Sequence, residues 1–564
     1  MFSSSISGFY EALPPTSDCE KTSPSNKQIY RNCCKKNRDF LFLNMKHIQG
    51  ISRQQMQFSS LEDTISQDNP VRFIDAFVNT ICLEKIGFTA KVLKSEGRPS
   101  FDSKIFLKIY LYGYLNGIRS SRKLEKECQR NLEMQWLLEA ITPNYHSIAD
   151  YRSENPKALK QLFKLFVSFL KEADLISGET IAIDGTKSRA HNGKKSNFNQ
   201  KKIDKHKAYI EAKTQEYLDA LDQNDFQEST TSITNIEQKI ERLKHNTIKY
   251  ELLEEQLKES GEPQLSTTDC DARALLVQGQ VVEVSYNIQA AVDDKYNLVV
   301  ATHTINRNDK NALSAIALEA KENLDVETLT VLVDKGYHNG REIETCKNNN
   351  ITTIVAQPDQ GKSNENGTQA AYLVSKFIYN KEQNTYTCPQ GQTLTTTGRW
   401  HKKTRDSENT SYLFQKYRTP ACKTCPVKEQ CTSRKGGREL DRSQYADAVE
   451  ENNTRYKANP QLYRKRQEIN EHIFGTIKRK WGYNYTNLIG LEKVNGEHSL
   501  IMLVYNIKRS INILGIPDLL AKLKAWNSPY KRKGLFLIKT TYLKLFLAPN
   551  ILLKRQNTSK ISFA

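Results

Sequence analysis

Ile181-Ala182-Ile183-Asp184-Gly185-Thr186 is an apolar run that ends abruptly in an acid. Val331-Leu332-Val333-Asp334-Lys335-Gly336-Tyr337 repeats the form much later in the chain. Short runs rich in Ile and Val read as buried strands, here with a carboxylate at each C-terminal end. A third acid, Glu471, sits in the basic, helix-forming stretch Glu471-His472-Ile473-Phe474-Gly475-Thr476-Ile477-Lys478. Two strand-end aspartates and one helical glutamate are oxygen ligands of the kind that hard divalent cations take. A pair of such cations can clamp the attacking and leaving oxygens of a phosphodiester.

The elements between these acids follow one order. Val281–Val292 and Leu298–His303 read as a strand pair around the turn Asp293–Asn297. A helix is expected near Ala312–Asn323, then the Asp334 strand, a helix near Arg341–Asn348 and a strand at Ile351–Ala356. Strand, hairpin, helix, strand, helix, strand and a Glu-bearing helix is the RNase H-like topology. The expected fold class is therefore α/β, with an RNase H-like catalytic domain over residues 176–515. Two insertions interrupt it, at 198–265 and 377–440.

The first insertion is polar and charged. Leu218, Leu221, Ile233, Ile236, Ile240, Leu243, Ile248 and Leu252 recur at spacings near three and four, predicting a helical pair or short coiled coil. The second carries Cys388, then Cys422-Lys423-Thr424-Cys425, then Cys431. Four thiolates with a C-x2-C knuckle suit tetrahedral structural Zn²⁺ in a zinc-ribbon-like element, and a Gly-, Thr- and Lys-rich segment with little core gains from such a staple.

Residues 69–175 read as an all-α, helix-turn-helix-type DNA-binding domain. Asp102 opens an apolar helix that Asn116-Gly117 breaks, Arg119-Ser120-Ser121-Arg122 opens another, and a further short helix begins near His146. Residues 1–68 are polar, contain Pro14, Pro15 and Pro24, and are expected to be poorly ordered, with Met1 or Met45 as the start; 516–564 form a C-terminal tail.

Composition narrows the partner. Lys+Arg number 83 against 64 Asp+Glu, a net charge of +19, which favours a polyanion such as double-stranded DNA. No apolar run is long enough to span a membrane and no secretory signal stands at the N-terminus, so no membrane partner is expected. Eleven cysteines in 564 residues do not make a disulfide scaffold, and a reducing cytoplasm is inferred. Around the third acid, Glu471, Phe474 and Lys478 share one helix side. Lys478, Arg479, Lys480, Arg119 and Arg122 are candidate phosphate contacts.

Several stretches together resemble the DDE transposases of bacterial insertion sequences, in the branch with a helical, InsH-like N-terminal domain and a four-cysteine insertion. They include Asn69-Pro70-Val71-Arg72, Gly97-Arg98-Pro99, Ile148-Ala149-Asp150-Tyr151-Arg152, Ala182-Ile183-Asp184-Gly185-Thr186-Lys187, Tyr286-Asn287-Ile288-Gln289, Asp334-Lys335-Gly336-Tyr337, Phe474-Gly475-Thr476-Ile477-Lys478 and Tyr505-Asn506-Ile507-Lys508-Arg509. The resemblance implies that Asp184, Asp334 and Glu471 are catalytic and bind two Mg²⁺ ions, with Mn²⁺ as a substitute. It also implies a Tyr-x2-Arg-x3-Glu-x6-Lys motif. Tyr463, Arg466 and Lys478 fit it in part, since Arg466 precedes Glu471 by one residue too many. The implied reaction is transposition: cleavage at the terminal inverted repeats and strand transfer into target DNA, by a homodimer on paired ends, in a bacterial cytoplasm at the nucleoid. Alternatives are an inactive or domesticated DNA-binding descendant, and an RNase H-like nuclease without strand transfer.

Overall fold

The computed structural model describes residues 52–56, 58–88, 100–224, 230–278, 281–358, 368–405 and 410–527. The expectations for 1–51, for Gly97-Arg98-Pro99 and for 528–564 lie outside the described residues. The described residues from Leu61 to Asn527 belong to one compact unit. It is mixed α/β with a helical N-terminal region.

The N-terminal helices start where side-chain chemistry permits. Helix α1 (Pro70–Thr80) has Pro at its first turn, and the Asn69 side chain accepts from the Val71 N–H. Helix α2 (Ser103–Leu115) is capped by Asp102 in the same way. It stops at Asn116-Gly117, where Gly117 takes a φ of 76°. Helices α3 (Ser121–Arg130) and α4 (Tyr145–Glu154) follow, and α5 (Pro156–Glu172) again begins with Pro.

The central sheet contains β1 (Thr180–Arg189), β2 (Arg273–Gln278), β3 (Val281–Asp293), β4 (Val299–Ile305), β5 (Leu329–Val333) and β6 (Ile351–Val355). Strand β1 lies between β3, antiparallel, and β5, parallel; β6 runs parallel to β5, while β2 and β4 pair with the far edge of β3. The register sets Ile183 beside Val333, so Asp334, just past the end of β5, lies level with Asp184. Asp184 is not at a strand end as the sequence suggested but midway along β1, which stays paired with β3 as far as Arg189. Ile181, Ala182, Ile183, Val331, Leu332 and Val333 are all fully buried. Residues buried on both faces explain why these strands are unbroken apolar runs.

Helices α6 (Gln200–Asn224) and α7 (Thr230–Ser260) form the expected pair between β1 and β2. Ile203, Ile210, Ile240, Leu253 and Leu257 are buried there, while Leu218, Ile248 and Leu252 are exposed. Helices α8 (Leu313–Leu324) and α9 (Gly340–Asn348) follow β4 and β5. The cysteine-bearing segment is a second, antiparallel sheet of β7 (Ile378–Asn380), β8 (Thr385–Thr387), β9 (Thr393–Arg405), β10 (Thr410–Arg418) and β11 (Leu440–Ser443). It has a small core of its own, built on Phe377, Leu394, Tyr417 and Leu440.

Helices α10 (Ala446–Ala458), α11 (Pro460–Phe474) and α12 (Leu491–Ala525) complete the unit. A wider π turn, Gly475–Lys480, continues α11, and α12 is broken at Gly515. Helix α12 packs against α1, α2, α5 and β4, so the N-terminal helices and the sheet share one apolar core. Two buried asparagines close sheet edges. Asn506 Nδ2 donates to the Val299 carbonyl and its Oδ1 accepts from the Val299 N–H, both at 2.8 Å. Asn452 does the same for Val355 at 3.0 and 2.9 Å. Each amide stands in for a missing strand neighbour. Among the described residues no helix is long and apolar enough to cross a membrane.

Candidate active site and cysteine cluster

An open cleft of about 920 Å³ lies over the C-terminal half of β1. Its walls include Asp184, Lys187, Asp309, Asn470, Glu471, Lys478 and Arg479. Asp184 comes from β1 and Glu471 from α11, the helix laid across β1, β3 and β5. Asp334 stands at the end of β5, and Arg466 joins it to Asp184. The Arg466 guanidinium is 3.7 Å from Asp184 Oδ2 and 3.5 Å from Asp334 Oδ1. It lies beside the Tyr463 ring, with its carbon 5.6 Å from the ring centre. Sequence reading had placed Arg466 on DNA; here it neutralises two carboxylates.

Burial pushes the Asp184 carboxyl up to about 6, reinforced by Asp309 and Asp334 and opposed by the Gly185 N–H and Arg466. A carboxyl held this way gains from a cation at close range, and the donor set is oxygen-rich, as Mg²⁺ prefers. Among the described residues, however, no three His, Cys, Asp or Glu side chains converge at metal-ligand spacing.

A polar cluster that sequence reading did not assign to the site is built around Asp309, which lines the cleft with Asp184. Asn287 and Gln289, fully buried on β3, donate to Asp309 Oδ1 at 2.7 and 2.8 Å. The Tyr337 hydroxyl donates to Gln289 Oε1, and Lys187 pairs with Asp309 at 3.4 Å. Gly185 is forced by this cluster. A Cβ there would lie 2.4 Å from Gln289 Nε2, 2.5 Å from Asp309 Oδ1 and 2.8 Å from Asn287 Oδ1.

Lys478 reaches β1 from the π turn. Its ammonium donates to Thr186 Oγ1 at 3.0 Å and to the Lys187 carbonyl at 2.9 Å, and burial lowers its pKa. Arg479 lines the cleft and Lys480 is exposed. Arg122 is exposed, with its guanidinium 5.1 Å from the Tyr145 ring centre.

Arg119 is not available to phosphate. It is 7% exposed, lies 4.4 and 4.5 Å from the Tyr483 and Tyr485 ring centres, and donates to the Tyr485 carbonyl at 2.8 Å. Its charge faces the fully buried Glu497 at 3.6 Å, which Arg152 also approaches at 3.9 Å. The cation that sequence reading assigned to DNA is an internal partner of α12. Trp481 packs against Tyr483 and Tyr505.

In the second sheet Cys388, Cys422, Cys425 and Cys431 line one cavity of about 30 Å³. The thiol of Cys431 is raised by burial and by the other three sulfurs, while Arg438 lowers it. Gly437, at φ 92°, lets the chain turn against Cys422; a Cβ there would sit 2.4 Å from Cys422 Cβ. The four sulfurs face one space without closing to metal-ligand spacing.

No curated protein matches the chain. No solved structure matches it either. Two protein-family models do. The family described as "Transposase domain (DUF772)" matches residues 59–154, the N-terminal helices. The family described as "Transposase DDE domain" matches residues 387–511, which include the four cysteines and Glu471 but neither aspartate. Over these two stretches the chain is similar to transposase families, one of them a DDE domain.

Proposed function

We propose that this chain moves an insertion sequence by metal-dependent DNA cleavage and strand transfer at terminal inverted repeats, on an RNase H-like core. One observation supports this most: Asp184 and Asp334 lie at the same level of adjacent parallel strands, both within reach of the Arg466 guanidinium, and Glu471 shares a cleft wall with Asp184. The strand order β4-β3-β1-β5-β6, with the first three antiparallel and the last three parallel, fits that core.

Asp184, Asp334 and Glu471 would hold two Mg²⁺ or Mn²⁺ ions. Bound there, such ions lower the pKa of a water and offset charge on phosphate oxygens. The chain's own residues do the rest. Asp309, Asn287 and Gln289 pack against Gly185, the β1 residue next to Asp184. Lys478 ties α11's continuation to that strand. Arg479 and Lys480, with Arg122 from the N-terminal helices, offer charge to the phosphate backbone. Arg466 must leave the two aspartates and is then free for DNA. Cys388, Cys422, Cys425 and Cys431 are assigned to structural Zn²⁺, and the acting species to a homodimer on paired ends.

The test is cleavage and joining of a duplex carrying the element's own ends, with Mg²⁺, comparing wild type with Asp184→Ala, Asp334→Ala and Glu471→Ala. Wild type should cut and join, while each variant binds and does neither. A wild type that binds ends and never cuts would overturn the proposal. An active Glu471→Ala would move the third ligand to Glu468, exposed on the same helix.

A further inference from the structure

Asn470 sits beside Glu471 on α11, between Ile469 and Ile473, which are 1% and 0% exposed. Asn470 itself is 2% exposed and lines the cleft with Asp184 and Glu471. Neither its Oδ1 nor its Nδ2 has a hydrogen-bond partner. The buried asparagines that close the sheet edges behave differently. Asn452 and Asn506 each bond through both ends of the amide.

A buried amide with both ends unpaired costs stability, and a leucine would fill the same space between two isoleucines without that cost. The helix geometry says where the amide faces. Asn470 follows Arg466 by four residues, so the two share one face of α11. Arg466 on that face reaches Asp184 and Asp334. Asn470 is therefore a neutral oxygen donor one turn from the gap between the two acids.

We propose that the Asn470 carboxamide is a further ligand of the divalent cation at Asp184, its Oδ1 binding the ion or the ion's water. The amide is unpaired because its partner is that ion. This rests on the assignment of Asp184, Asp334 and Glu471 to divalent metal. A neutral oxygen adds affinity for a hard cation without adding to the repulsion among nearby carboxylates.

The experiment is Mn²⁺ titration of the full-length, DNA-free protein at pH 8, read by calorimetry or electron paramagnetic resonance, with melting of the metal-free forms alongside. Mn²⁺ prefers oxygen donors over the cysteine cluster. Asn470→Leu should weaken Mn²⁺ binding by about tenfold or more, the range for residues that support metal sites. The same variant should melt higher than wild type without metal, because the unpaired amide is gone. Asn470→Asp should bind Mn²⁺ more tightly. Unchanged affinity in Asn470→Leu overturns the inference. If that variant does not fold, Asn470→Asp decides, and unchanged or weaker binding there overturns it. Asp184→Asn separates the two levels. If it loses Mn²⁺ while Asn470→Leu does not, only the role of Asn470 falls; if neither loses it, the metal site falls as well.

Discussion

Replacing Gly185 by alanine tests whether the polar cluster around Asp309 is rigid. Gly185 lies inside β1, and its φ is not positive, so alanine meets no backbone penalty. The cost is contact alone: three polar atoms within 2.4 to 2.8 Å of the new methyl. These atoms cannot swing away freely. Gln289 is held by Asp309 and Tyr337, and Asn287 by Asp309 and by the Arg307 carbonyl at 2.9 Å. Overpacking a tight site costs about 1–3 kcal/mol. Breaking one or two of these bonds adds about 1 kcal/mol each. The sum is about 2–5 kcal/mol, concentrated at β1 and β3. Hydrogen exchange is the suitable assay, because it reads opening free energy amide by amide. Amides of Ile183–Lys187 and Asn287–Ala291 should exchange faster by a factor corresponding to that loss, with distant α2 unaffected. Protection within about 0.5 kcal/mol of wild type, the scatter of an ordinary surface change, would refute a rigid cluster.

Glu497→Ala should destabilise the unit by about 3–5 kcal/mol, since it strands Arg119 and Arg152 in the core; a urea midpoint close to wild type would count against it. Asp184→Asn should raise the melting temperature of metal-free protein at pH 8 but not near pH 4. The Asp184 carboxyl is raised to about 6 from an ordinary 3.8, so its stabilising contribution is full below about 4 and lost as pH rises through 6. A substitution effect independent of pH would contradict that sign. Purified protein should carry about one zinc per chain, and chelation should open residues 368–445 to protease; zinc-free protein with an unchanged digestion pattern would refute the cysteine assignment.

The strands that carry Asp184 and Asp334 were legible because burial on both faces leaves a continuous apolar signal. The hairpin Val281–His303 and the helices flanking β5 were legible from turn residues and periodicity. Arg119 was misread because its partner Glu497 is remote in sequence and close only in space. Local reading sees a cation at a helix start and cannot see the anion waiting for it. Asn287 and Gln289 did leave a signal: polar residues two apart in an otherwise apolar strand, pointing to one face. The second sheet escaped notice because lysines and threonines on β9 and β10 mask its small core. The π turn after Phe474 has no sequence mark beyond Gly475. The inward face of α11 at Asn470 left no local mark, because an asparagine in a polar, basic helix reads as a surface residue.

Helix α12 binds the N-terminal helices and the sheet into a common interior. A consequence concerns distance. Two halves of a molecule joined by a tether can slide their grips along a duplex independently. Two halves fused through one helix cannot. Any duplex held by the N-terminal helices would meet the cleft at a set number of base pairs from that grip, so the molecule is its own measuring rod.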